Sequence, residues 1–157
     1  MTPSEFLQTV VRPNVVEFNT EYGDVRRANN AVASVDALAA HIYVWCKTNA
    51  SSEIAGLRDD ICYRERLAGS SSGFRLLRDI AKAQKHVHLY RGQPEVTTSA
   101  QVKVRSFGYG EGAYGGGRYG GPPQVVVTTD DGELRYVEQV VAAALAVLEA
   151  EMTRLNI

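Results

Sequence analysis

The sequence has few of the residues that build cross-linked or metal-stabilised folds. Its 157 residues include only two cysteines, Cys46 and Cys62, and three histidines. Both cysteines lie within helical patterns beside apolar residues, where a lone thiol usually acts as a small core hydrophobe. A chain of this length typically buries roughly 70% of the surface that its unfolded form exposes. We therefore expect one domain, residues 1–157, that a hydrophobic core stabilises without disulfides or structural metal.

Charge of one sign and long apolar segments are also lacking. Seventeen lysines and arginines stand against eighteen acidic residues, a net charge of −1, which gives no strong field for nucleic acid or membrane. The N-terminus has no basic region followed by an apolar core, and no run of about 18 apolar residues occurs. These absences predict a cytoplasmic protein with no membrane partner, and no motif calls for a cofactor.

Helical periodicity dominates residues 1–92 and predicts a four-helix bundle. The first helix opens at Thr2-Pro3-Ser4-Glu5, and Pro13 is expected to kink it because proline removes one backbone donor. The longest helix, Val25 to Thr48, is expected to be the central strut, with His41 at the margin of the core. A third is predicted over residues 53–67, with a solvated, charged outer face.

The pattern changes after His88, where residues 95–137 alternate with period two and predict antiparallel strands. Asp131-Gly132 predicts a two-residue hairpin turn, since this dipeptide readily adopts positive φ. Residues 138–156 return to helical spacing. The predicted fold class is therefore α+β, mainly α: the bundle, a small antiparallel hairpin or meander, and a C-terminal helix.

The fourth predicted helix, Phe74 to His88, is strongly amphipathic. One stripe is expected to be buried, and it comprises Phe74, Leu77, Ile80, Ala81, Gln84 and Val87. The opposite face carries a charged line spaced by four, three and four, which comprises Arg75, Asp79, Lys82 and His86. That line is either a surface that a partner or substrate recognises or a solvated face.

Residues 108–121 form a glycine-rich segment in which eight of fourteen positions are glycine. Gly110, Gly112 and Gly115 match the spacing of a dinucleotide-binding loop, but such a loop leads into a helix, and here a strand follows. A mobile hairpin tip is the favoured alternative. Its binding candidates are Tyr114, Arg118 and Tyr119, because tyrosine and arginine side chains stack on unpaired bases.

His86 and His88 flank a single residue and are the candidate metal ligands. On an extended segment both imidazoles point the same way and can hold one ion, whereas on a helix they diverge by about 200°. Because the helical pattern reaches Val87, we favour divergence and predict no metal site.

Arg78, Asp79 and His86 are the candidate catalytic residues. An arginine followed by a polar residue and, further along the same helix, by a histidine resembles the motif of HEPN domains, which are helical bundles of prokaryotic defence and toxin systems. This resemblance implies metal-independent RNA cleavage at a dimer interface, with His86 as acid or base and Arg78 stabilising phosphate charge. Seven residues intervene between Arg78 and His86, whereas the family has four to six intervening residues.

The binding residues that accompany this motif are basic. Arg75 and Lys82 would hold the RNA backbone, and Lys85 is a further binding candidate. The stretch RDIAKAQKH is also similar to a pattern in small uncharacterised bacterial and phage proteins, which imply no activity.

Two functions follow as expectations. The first is a non-enzymatic helical interaction protein that forms a homodimer or binds a protein partner. The alternative is a HEPN-like ribonuclease, or an inactive relative, that binds RNA.

Overall fold

The structure is a computed structural model that describes residues 1–106 and 122–157. It confirms the α+β, mainly α fold class with a small antiparallel sheet and a C-terminal helix. The elements in the described residues are α1 (Pro3–Phe6), α2 (Arg12–Thr20), α3 (Val25–Thr48), α4 (Asp60–Ser70), α5 (Ser72–His86), β1 (Val102–Arg105), β2 (Gln124–Thr128), β3 (Leu134–Tyr136) and α6 (Val137–Arg154).

The N-terminal helix is interrupted near Pro13, as predicted, and the interruption is a π-helical turn. Thr2 caps α1 in a capping box with Glu5, and Leu7–Val11 then forms the π turn that leads into α2. Proline lacks an N–H group and its ring clashes with the carbonyl four residues earlier. A wider turn before Pro13 relieves this clash, because π-bulges loosen the helical ladder.

Helix α3 has the predicted bounds and lies at the centre of the bundle, in contact with α2, α4, α5 and α6. Asp24 caps it, its carboxylate accepting a hydrogen bond from the Arg27 N–H. The inner face of α3 is fully buried at Val32, Val35, Leu38 and Ile42. This helix therefore carries the core against which the remaining helices pack.

The third predicted helix begins later than expected. Ser52–Ile54 forms only a 3₁₀ turn, Gly56 has a φ of +81°, and α4 starts at Asp60 with Asp59 as its cap. A short side chain that accepts backbone N–H groups favours a new helix start. Asp59 accepts from the Cys62 N–H at 2.8 Å, and this hydrogen bond is the main reason that the pKa of Asp59 is lowered to about 2.

Helices α4 and α5 are joined by a single residue, Ser71, whose hydroxyl accepts a hydrogen bond from the Phe74 N–H. Helix α5 ends at His86, two residues earlier than predicted. Val87, expected in the buried stripe, is instead 66% exposed and has a φ of +63°. The His88 N–H donates to the His86 carbonyl at 2.6 Å, which closes a γ-turn and stops the helix.

The sheet has the order β1-β2-β3 with antiparallel pairing throughout. The predicted hairpin joins β2 and β3, but its loop has three residues, 130–132, because the Thr129 N–H bonds the Glu133 carbonyl. Gly132 takes the positive φ, +88°, that such a loop needs at its last position. A hydrogen bond from the Val125 N–H to the Tyr22 carbonyl, at 2.7 Å, joins the sheet to the segment between α2 and α3.

Within the described part of the chain, none of the helices is long and apolar enough to cross a membrane.

Candidate functional site

A row of basic side chains follows one face of α5. Arg75, Arg78, Lys82 and Lys85 are spaced three, four and three residues apart, so they lie on one stripe of the helix. At about 1.5 Å per residue the row is roughly 15 Å long. It has a cleft on each side.

The larger cleft, of about 310 Å³, lies between the two antiparallel neighbours α4 and α5 and the segment that follows α5. It is lined by Glu65, Ala68 and Gly69 of α4, by Arg75, Arg78, Asp79 and Lys82 of α5, and by Leu89 and residues 91–94. Arg75 holds this last segment in place. Its guanidinium donates to the Gln93 carbonyl at 3.0 Å and lies 3.4 Å from the Glu95 carboxylate.

The smaller cleft, of about 220 Å³, is lined by Asp36, Ile61, Arg64, Arg78, Ala81, Lys82, Lys85 and His86. Because Arg78 and Lys82 line both clefts, we name the two together the basic groove. Its described lining carries six lysines and arginines against three acidic residues. The groove is therefore positive on a chain whose net charge is −1.

Glu65 lies opposite the middle of the basic row. One carboxylate oxygen, Oε1, accepts from Arg78 Nη2 at 2.7 Å and from Lys82 Nζ at 3.2 Å. Burial alone would raise the pKa of Glu65, but these two hydrogen bonds outweigh burial and hold the pKa below its usual value. The Glu65 side chain is 56% exposed, whereas that of Arg78 is only 4% exposed. Glu65 is thus a surface carboxylate that neutralises two cations of the groove.

Asp79 is buried in the larger cleft, which corrects its predicted place on a charged outer face. The reason is the segment after α5, which folds back over this face. Asp79 Oδ2 accepts a hydrogen bond from the Glu95 N–H at 2.9 Å. Burial raises the pKa of Asp79, although that hydrogen bond and the charges of Lys82 and Arg75 oppose the rise.

The groove also contains buried polar atoms without partners. Among the described residues, Arg78 Nε, Arg64 Nε and Asp36 Oδ1 are buried side-chain atoms that make no hydrogen bond to the protein. All three residues line the groove. Buried polar atoms in folded proteins are nearly always paired, so an unpaired cluster calls for an explanation such as ligand binding.

An exposed aromatic pair lies in the segment that follows α5, part of which lines the larger cleft. The γ-turn at Val87 leads into His88 and Tyr90, whose rings stack with centroids 4.5 Å apart and planes inclined by 12°. Tyr90 is 87% exposed. Arg91, the next residue, lines the larger cleft and makes no ion pair within the described part of the chain. The two aromatic residues therefore alternate along the chain with Leu89 and Arg91, which line the larger cleft, although neither ring lines it.

The structure divides the predicted catalytic residues between the two clefts. Arg78 lines both, Asp79 only the larger and His86 only the smaller. Arg78 and His86 thus share one cleft, although Arg78 is held by Glu65. The predicted binding residues Arg75, Lys82 and Lys85 all line the groove. Tyr114, Arg118 and Tyr119 lie outside the described residues, as does the whole glycine-rich segment 108–121.

The candidate metal ligands separate at the end of α5. His86 is the last helical residue, and His88 follows the turn and forms an isolated antiparallel bridge with Thr98. Among the residues that the structure describes, no group of three or more histidine, cysteine or acidic side chains is arranged to hold a metal ion.

Comparison with protein-family models, with curated proteins and with solved structures gave no match. The case for a function therefore depends on the groove itself.

Sequence reasoning missed several residues of the site, among them Asp36, Arg64, Glu65, Tyr90 and Arg91. Arg64 and Glu65 belong to an alternating charged face that predicts only solvated ion pairs. In the structure Arg64 pairs with Asp36 at 2.7 Å and also with Asp60. The basic spacing of α5 was a usable signal for the row, but no signal in the sequence indicates which side chains of α4 oppose it.

An apolar cleft of about 470 Å³, separate from the basic groove, lies between the N-terminal residues and α3, and its lining includes Met1, Ala40, Val44 and Trp45. Met1 and Val44 are 75% and 57% exposed. His41 also lines it and stacks on Phe6 with ring centroids 3.9 Å apart, in agreement with its predicted position at the core margin. Burial lowers the pKa of His41.

Proposed function

We propose that this protein binds single-stranded RNA along the basic groove. The observation that carries the proposal is the combination of a basic row on α5 with an exposed His88–Tyr90 stack in the segment whose Leu89 and Arg91 line the larger cleft. Proteins that bind single strands pair a positive groove, which follows the phosphates, with aromatic side chains on which bases stack. At about 3.4 Å per phosphate in a stacked strand, a row of roughly 15 Å faces about four phosphates.

The buried unpaired atoms support the same proposal. Arg78 Nε and Arg64 Nε are guanidinium donors without a partner in the described residues. Phosphate oxygens are the acceptors that arginine binds best. Lys85 and Arg91 have no ion pair in the described part of the chain, so both are available to an anionic ligand.

Binding without cleavage is the form that we propose. A metal-independent ribonuclease needs a free cation on the phosphate beside an acid or base. His86 and Arg78 line one cleft, but the third predicted catalytic residue, Asp79, lines only the other cleft, where it is held by the Glu95 N–H. RNA incubated with the protein in EDTA is therefore expected to stay intact; cleavage that His86→Ala abolishes would instead establish the ribonuclease alternative.

The test is fluorescence anisotropy with a labelled single-stranded RNA of twelve nucleotides, titrated at several salt concentrations. Lys85→Glu and Arg91→Glu should each weaken binding and reduce the slope of log K against log salt by about 0.7, since each removes one phosphate contact. Tyr90→Ala should weaken binding about tenfold, because it removes a stacking platform.

The matched control is Lys47→Glu. Lys47 is exposed near the end of α3 and does not line the groove, yet its substitution changes the net charge by the same amount. Equal losses for Lys47→Glu and Lys85→Glu would refute a localised site. Equal affinity for DNA of the same sequence would widen the ligand class to single-stranded nucleic acid.

Self-association is a second candidate function, which the apolar cleft favours. We propose that a second copy of the chain covers Met1, Val44 and Trp45, because exposed apolar clusters of this kind commonly mark interfaces. Native mass spectrometry should then show a dimer that Val44→Glu converts to a monomer. Val16→Glu, at a position on α2 with 62% exposure, is the control and should leave the dimer intact. A wild-type monomer at high concentration contradicts this candidate.

A further inference from the structure

We infer that the Glu65 carboxylate occupies a phosphate-binding position of the basic groove, and that an RNA phosphate displaces it from Arg78 and Lys82. The inference rests on the proposed function and adds to it a built-in competitor. It assigns one oxyanion site, with its two cations and the group that fills it in the free protein.

The geometry of Glu65 is that of an oxyanion between two donors. A single oxygen accepts from Arg78 Nη2 at 2.7 Å and from Lys82 Nζ at 3.2 Å. A phosphate oxygen accepts from arginine and lysine over the same distances. The two cations belong to the middle of the row on α5, with Arg75 on one side and Lys85 on the other. A strand that follows the row therefore meets this position.

Glu65 is also the partner that is able to leave. Its side chain is 56% exposed, against 4% for Arg78 and 39% for Lys82. A rotation of Glu65 about its side-chain bonds would place the carboxylate in water without opening the core. Arg78, in contrast, is fixed by burial and keeps its unpaired Nε within the groove lining.

Displacement of the Glu65 carboxylate by a phosphate should cost little free energy. An ion pair on the surface is worth little, because water solvates both charges when they part. When an RNA strand binds, the contacts of its neighbouring phosphates with the basic row offset the small free energy lost with this ion pair. Glu65 would therefore weaken binding of isolated anions more than binding of a strand that contacts the whole row.

The test compares wild-type protein with Glu65→Gln in the anisotropy titration with the same twelve-nucleotide RNA. Glutamine keeps an acceptor for Arg78 but removes the competing charge. Affinity should rise about fivefold. The slope of log K against log salt should steepen by about 0.7, because the groove of the variant carries one negative charge fewer in the free and in the bound state.

Glu133→Gln is the matched control. Glu133 is a carboxylate of similar exposure, 54%, that pairs with Arg135 on the hairpin. It does not line the groove. Its substitution makes the same charge change and should alter neither affinity nor slope by the amounts expected for Glu65.

The outcomes distinguish failure of the Glu65 inference from failure of the proposed RNA binding. Wild-type binding with equal or weaker binding by Glu65→Gln overturns the inference and leaves RNA binding in place. Failure of both proteins to bind overturns both. Binding by Glu65→Gln alone supports the inference in its strongest form. If Glu65→Gln does not fold, Glu65→Ala provides the same comparison, with thermal unfolding measured alongside each titration.

Discussion

At the residue scale, Asp79 shows how a charged side chain comes to be buried beside a functional groove. It is 6% exposed, and its acceptor oxygen fixes the Glu95 N–H of the segment that covers it. Helical periodicity predicts Asp79 on the charged face of an amphipathic helix. In the structure Asp79 does lie on that face of α5, but the face is not open to solvent there. What periodicity could not supply is the later segment that folds over that face.

Asp79→Asn should change the pH dependence of stability. Burial raises the pKa of Asp79 above its ordinary 3.8 in the folded protein. For an acid with a raised folded pKa, the unfolded state loses its proton first, so the wild-type protein loses stability as pH rises from the unfolded toward the folded pKa. Asparagine does not titrate. In urea unfolding, the free energy of unfolding of the variant minus that of the wild type should therefore increase from pH 3.5 to pH 7.

Asp131→Asn is the control with the opposite sign. A hydrogen bond from the Thr129 hydroxyl is the main reason that the pKa of Asp131 is lowered. Its contribution to stability is present above the unfolded pKa and is lost as pH falls through the folded one. The free energy of unfolding of this variant minus that of the wild type should thus decrease as pH rises. If the relative stabilities of the two variants changed with pH in the same direction, the opposite pKa shifts of Asp79 and Asp131 would be contradicted.

At the element scale, the end of α5 determines the shape of the groove. The γ-turn at Val87 redirects the chain, so that residues 88–94 return along α5 instead of extending it. A β-branched residue with a φ of +63° is a strained conformation, since the classical γ-turn is rare even for unbranched residues.

Val87→Gly should stabilise the protein by about 1 kcal/mol. Relief of roughly 1–3 kcal/mol of backbone strain exceeds the roughly 0.5–1 kcal/mol that glycine loses in chain entropy. Little burial is lost, because Val87 is 66% exposed. The measurement is urea unfolding, with Val16→Gly as the control.

Val16 has similar exposure, 62%, but lies within α2. There the same substitution should destabilise by about 0.5 kcal/mol, because glycine is the poorer helix former. Destabilisation at both positions would show that the Val87 turn is not strained.

Most element types were predictable because each depends on its own residues. The bounds of α3 follow from its caps and apolar spacing, and the hairpin follows from Gly132. The start of α4 was not predictable in the same way. Ser51, Ser52 and Asp59 all offer capping side chains, and the choice depends on Gly56 and on packing against α3.

At the scale of the whole molecule, the groove joins elements that no single periodic pattern relates. Three helices contribute to it: Asp36 lies on α3, Glu65 on α4 and the basic row on α5. Spacing predicts the row, because those residues share one helix. It does not predict Glu65 as their partner, since contacts between helices depend on the angle and register at which the helices pack.

The one-residue connection at Ser71 also affects the order in which the molecule is able to assemble. Glu65 and Arg78 lie 13 residues apart in sequence, whereas the bond from Val125 to Tyr22 joins positions roughly a hundred residues apart. Loop closure over the longer separation costs about 2 kcal/mol more in chain entropy. Local contacts of this kind form early in folding. A growing chain is thus able to form the contacts of the groove once Glu95 has been added, before any strand of the sheet exists.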